Sequence, residues 1–140
     1  MKHLFLFLAL LSGILYACDN DKTEGKDTPP NFQPTVITFD SGANAKTIQS
    51  SNNQSWWFDK VAVNDSILDY GNSKLQYEYQ EGKEHNAMNV SVIKGSWFTL
   101  KKIDNKTISI SVSATKENRK VSFDAYRGNS WQTITIMQYK

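Results

Sequence analysis

The chain of 140 residues has a single cysteine, so no internal disulfide can staple it and stability has to come from a packed core. Of its two histidines, only His85 lies beyond the N-terminal segment, and no histidine pair has metal-binding spacing. There is no Gly-x-Ser-x-Gly elbow and no phosphate-cradling glycine loop. Asp59, Asp65, Asp69 and Glu78 are the carboxylates a glycosidase would have to use. Glu81, Glu84 and His85 are the groups a cation would need. Both sets read as solubilising surface charge, so neither an enzyme nor a metal or cofactor site is expected. Basic and acidic side chains nearly balance, at a formal net charge of +2, and no basic stripe exists that would displace counterions from a nucleic acid. No apolar run reaches the roughly 20 residues of a membrane-spanning helix. No stretch has the 3.6-residue period of a long amphipathic helix either.

What the chain does have begins with a leader. Lys2 and His3 make a short positive start, Leu4–Ala17 is almost wholly apolar, and Ala17 is small, as an export cleavage point requires. Residues 1–17 are therefore expected to be a signal peptide. The run Leu15-Tyr16-Ala17-Cys18 resembles the lipobox of bacterial lipoproteins, with Tyr16 where a smaller residue is usual. That resemblance implies acylation of Cys18 and anchoring of the mature chain to a membrane. Two or more chains hold stably, because each buried methylene contributes about 0.8 kcal/mol. The alternative is an ordinary secretory leader with a chance cysteine beside its cleavage point. Asp19, Asp21 and Glu24 look like the acidic signals that carry some Bacteroidetes lipoproteins to the cell surface, and they fit a merely soluble linker equally well. The expected address is the bacterial outer membrane, on its surface or periplasmic face.

Residues 18–34 read as a polar stalk, with Phe32 its only large apolar side chain. From Thr35 the period is two. Ile108, Ile110, Val112 and Ala114 alternate with Thr107, Ser109, Ser111 and Ser113, and Val121, Phe123 and Ala125 alternate with Lys120, Ser122 and Asp124. Strands are expected over 35–40, 46–50, 55–63, 74–80, 87–94, 97–102, 107–114, 119–126 and 131–139, with one helical turn over 67–70. Lys101 and Lys102 are expected on an exposed edge, where charge deters pairing between molecules. Short strands separated by turn residues predict an all-β, antiparallel sandwich of about seven to nine strands over residues 35–140.

The strands also carry a family pattern. It comprises Ile37-Thr38-Phe39 with Lys46-Thr47-Ile48, then Ser55-Trp56-Trp57-Phe58, Trp97-Phe98-Thr99-Leu100, the strand 108–114, Asn118-Arg119, and the closing Ile134-Thr135-Ile136-Met137-Gln138. From Thr35 to Gln138 the chain resembles the BACON domain, a Bacteroidetes-associated domain proposed to bind carbohydrate. The resemblance implies an immunoglobulin-like sandwich and a binding or spacer role in glycan capture. The spacing from Trp56 to Trp97 exceeds the family's, which marks residues 64–93 as an insertion. A protein-interaction or adhesion subunit, docking through residues 64–93 or an open sheet edge, is the alternative.

Sugar faces are apolar and stack on aromatic rings. Trp56, Trp57, Trp97, Trp131, Tyr70, Tyr77, Tyr79 and Tyr126 supply the rings, and most are needed for the core. Alternation sorts them. With Trp56 and Phe58 inward, Trp57 points out. With Ile134 and Ile136 inward, Trp131 points out, and Tyr126 faces away from Phe123 and Ala125. Trp57, Tyr126 and Trp131 are thus the candidate ligand-binding residues, against the plainer role of a cross-strand pair that stabilises the sheet by under about 1 kcal/mol. Asn118, Arg119 and Gln138 are expected to serve turns, edges and backbone.

Overall fold

Apolar and polar side chains alternate from Phe32 onward, and the computed structural model, which describes residues 27–140, resolves that pattern into eleven strands. They are β1 (Phe32–Gln33), β2 (Val36–Phe39), β3 (Asn44–Ser50), β4 (Trp57–Val63), β5 (Ser66–Leu68), β6 (Gln76–Tyr79), β7 (Val90–Lys94), β8 (Phe98–Lys102), β9 (Thr107–Val112), β10 (Arg119–Arg127) and β11 (Ser130–Gln138). One sheet runs β1-β3-β9-β8-β7-β6 and the other β2-β11-β10-β4-β5, and the two enclose one apolar core. The all-β sandwich is the architecture that the periodicity predicts. The leader over 1–17, Cys18 and the stalk as far as residue 26 lie outside the described residues.

Four local expectations are corrected. Phe32 is fully buried and belongs to the sandwich, not to the stalk. Its N–H donates to Gln132 Oε1 at 2.7 Å, and its carbonyl accepts from Gln132 Nε2 at 3.0 Å. One large ring was enough to draw Phe32–Gln33 into the sheet as β1. Second, β2 runs parallel to β11, so the sandwich is not wholly antiparallel. Third, residues 66–68 are a strand on the open side of β4, where the 67–70 segment was expected to turn helically. Asn64 and Asp65, both at positive φ, make the two-residue turn that reverses the chain there. Fourth, β8 lies between β7 and β9, so Lys101 and Lys102 sit in mid-sheet. The Lys102 ammonium donates to the Trp56 carbonyl and stands 4.5 Å from that ring's centroid. Burial pulls its pKa down to about 8, against the opposing pull of Asp104.

Residues 64–93 do not stand off as a loop. They supply β5, β6, a 3₁₀ turn over Ala87–Asn89 and most of β7, and so form one flank of both sheets. β4 beside them has a bulge. Ala62 pairs with Ser122 and Asp59 with Asp124, so Lys60 and Val61 together oppose Phe123, with Lys60 at φ 45°. The extra residue lets Phe58 and Val61 both point inward, which strict alternation forbids.

Candidate functional site

Trp131 and Tyr126 are directly opposite across the β10–β11 hairpin, and Tyr126 is directly opposite Trp57 across the β10–β4 pair. Register alone therefore puts the three expected rings in one row across three strands. Trp131 and Tyr126 lie nearly parallel, at 11° and 5.9 Å between centroids, and Tyr126 and Trp57 are tilted by 55° at 5.4 Å. Trp131 is 49% exposed. Tyr126 and Trp57 are half-buried.

The row does not stop at Trp57. β5 covers β4 only from Val61 to Val63, and beside Trp57 a cavity of about 100 Å³ opens, lined by Trp57, Asp59, Lys60, Tyr70 and Tyr77 over a floor including Phe58 and Ile93. Tyr70 and Tyr77 are 5.1 Å apart by ring centroid. The Tyr70 and Tyr79 hydroxyls are hydrogen-bonded at 2.9 Å, and His85 stacks flat on Tyr79 at 4.2 Å. The shared hydroxyl hydrogen bond pushes the Tyr70 pKa up to about 12, with desolvation adding to it, and burial raises that of Tyr77. A belt of rings thus runs across the face of the five-stranded sheet and, over the cavity, to Tyr70 and to Tyr77 on the edge strand of the other sheet, where Tyr77 and Tyr79 also pack against the core. Tyr70, Tyr77, Tyr79 and His85 were not selected from sequence as site residues. The visible signal was Tyr77 and Tyr79 alternating in one strand, but only the packing of the 64–93 segment brings Tyr70 and Tyr77 to the cavity beside Trp57.

Charges around the belt are engaged within the protein. Asp124 is buried and accepts from the Thr133 hydroxyl at 2.6 Å, Asp59 accepts from the Lys60 N–H at 2.9 Å, and the Lys60 ammonium stands 5.2 Å from the Trp131 centroid. Elsewhere Asp65 pairs with Lys120 at 2.6 Å and Glu78 pairs with Lys94. Among the described residues no cluster of three His, Cys, Asp or Glu could hold a metal ion. Ring faces and hydroxyls are what this surface offers a ligand.

Arg119 and Gln138 build something different at the other end of the sandwich. Gln138 is fully buried; its Nε2 donates to the carbonyls of Asp40, Gly42 and Ser113, and its Oε1 accepts from Arg119 Nε. The Arg119 guanidinium lies 4.4 Å from the Trp97 centroid and donates to the Ser113 and Ala114 carbonyls. Desolvation lowers its pKa. Both side chains are spent on structure, as the sequence suggests.

No family model and no curated protein matches the chain. Among solved structures it is similar to the NMR structure of a protein from Bacteroides thetaiotaomicron, with a TM-score of 0.57 and 14% identity over 83% of this chain and 91% of that one. The likeness is one of fold.

Proposed function

We propose that this chain is a non-catalytic binding module of BACON type, held by a lipid on Cys18 at the bacterial outer membrane, whose aromatic belt captures glycan. One observation carries the reading: Trp131, Tyr126 and Trp57 lie in register across three strands and continue into the rings of the 64–93 flank. Cross-strand pairing would account for Trp131, Tyr126 and Trp57, which form two directly opposed pairs. It does not account for Tyr70 and Tyr77 standing across the same cavity from Trp57. Aromatic side chains bury much apolar area and keep a polar handle, which suits a ligand with apolar faces and hydroxyl edges. Membrane attachment rests on the lipobox at Leu15–Cys18, and the surface or periplasmic face of the outer membrane is its expected place. No cofactor and no nucleic acid enters the reading.

Titration of the full chain with a broad polysaccharide panel should quench tryptophan fluorescence. Trp57→Ala and Trp131→Ala should each abolish the response, while Trp131→Ala changes unfolding stability by less than about 1 kcal/mol. Silence across the panel would sink the glycan reading. A second reading, a docking subunit of an outer-membrane complex, draws on Ile67 and Met88, large apolar side chains left exposed on the same flank. It calls for co-purification with such a complex, lost when residues 81–86 are deleted.

A further inference from the structure

The cavity beside Trp57 holds about 100 Å³, whereas sites that enclose a small ligand run from about 300 Å³ upward. This groove is too small to swallow a sugar. The rings on either side of it are arranged in sequence, Trp131, Tyr126 and Trp57 on one side and Tyr70 and Tyr77 on the other, with centroid spacings of 5.9, 5.4 and 5.1 Å inside the two sets. Neither end of the row is a pocket. At one end stands the exposed Trp131, and at the other the exposed Tyr70, hydrogen-bonded to Tyr79.

Resting on the glycan reading above, we propose that the belt binds the interior of a neutral polysaccharide chain, laid across the rings over several sugar units, rather than a terminal sugar in a pocket. Neutrality follows from the charges: Asp59 and Lys60 both line the groove and balance each other, and Asp124 is buried. A charged polymer would meet both signs at once on that wall, so nothing there favours a carboxylate or sulfate over a neutral hydroxyl. Weak stacking on each ring adds up along a tethered chain, so affinity must grow with the number of units that reach the belt.

The test is calorimetric titration of the full chain with amylose, xylan, mannan and hydroxyethyl cellulose, and with oligosaccharides of graded length cut from each. Carboxymethyl cellulose serves as the charged counterpart. Affinity should rise by at least about tenfold from the disaccharide to the length that fills the belt, and chemical reduction of the oligosaccharide end should not change it. Trp131→Ala and Tyr70→Ala, at opposite ends, should each weaken the longest oligomers. A monosaccharide that binds as tightly as the polymer, loss of binding on end reduction, or preference for the carboxymethylated polymer overturns this inference and leaves glycan binding standing. Silence from every probe overturns both.

Discussion

Two lines of aromatic rings run through this sandwich, and they differ in how the rings meet. Inside, Phe32, Trp56, Phe58 and Phe123 interlock edge to face, with centroids 5.0–5.4 Å apart and planes at 66–85°. Outside, Trp131, Tyr126 and Trp57 are parallel or tilted, and His85 lies flat on Tyr79. Trp56 and Trp57 are consecutive residues, so strand alternation alone sends one ring to each line. Edge-to-face rings fill volume from several directions, which a core requires. The outer rings instead pack beside one another along the sheet surface, and the exposed Trp131 at the end of the row is the part most open to a ligand. The buried tryptophans are also sealed: Lys102 closes over Trp56 and Arg119 over Trp97, and the Trp56 indole N–H donates to the Asn105 carbonyl.

The difference can be broken from the inside first. Phe32→Ala empties a fully buried site against the Trp56 ring and should cost about 3–5 kcal/mol, read as a lower denaturant midpoint at unchanged slope. A loss below about 1 kcal/mol would mean that Phe32 only decorates a stalk. Gln138→Leu comes next. It strips partners from Arg119 and from three backbone carbonyls, and leaves no polar group at the fully buried position, so a loss of about 1–3 kcal/mol is expected. Glycan titration should not change, because the belt lies elsewhere; altered binding would show the two regions to be coupled.

The smallest effect sharpens the contrast between a sealed tryptophan and an open one. Folded, Lys102 loses its proton near pH 8, whereas unfolded it keeps the proton to about 10.5. Between those values the unfolded chain binds more protons, so this group makes stability climb as pH rises through the window. Below it, the desolvation cost of the charge is present in full. Lys102→Met should remove the climb, seen as unfolding free energies of the two proteins that differ less at the upper end of the window than at neutral pH. A constant difference would show that Lys102 is not buried over Trp56.

Much of this was legible in one dimension. The alternation that separates Trp56 from Trp57 and Ile134 from Thr135 needs only the two-residue period of a strand. The same parity assigns Trp131 and Tyr126 to one face. It failed at Lys60, where the bulge shifts the count so that Val61 points inward beside Phe58. It failed at Phe32 too, because polar neighbours hid a core residue whose partners, Trp56 and Gln132, are distant in sequence. Tyr70 and Tyr77 could be seen as rings but not as neighbours of the Trp57 cavity.

The residue order by itself determined the period, hence the all-β class, the two-faced strands and which rings point out, because side-chain direction in a strand is a local property of the backbone. Only the tertiary structure decided which outward rings meet, where the sandwich begins and that β2 runs parallel to β11. Those are settled by register and by pairing between segments far apart in the chain, and no local rule specifies them.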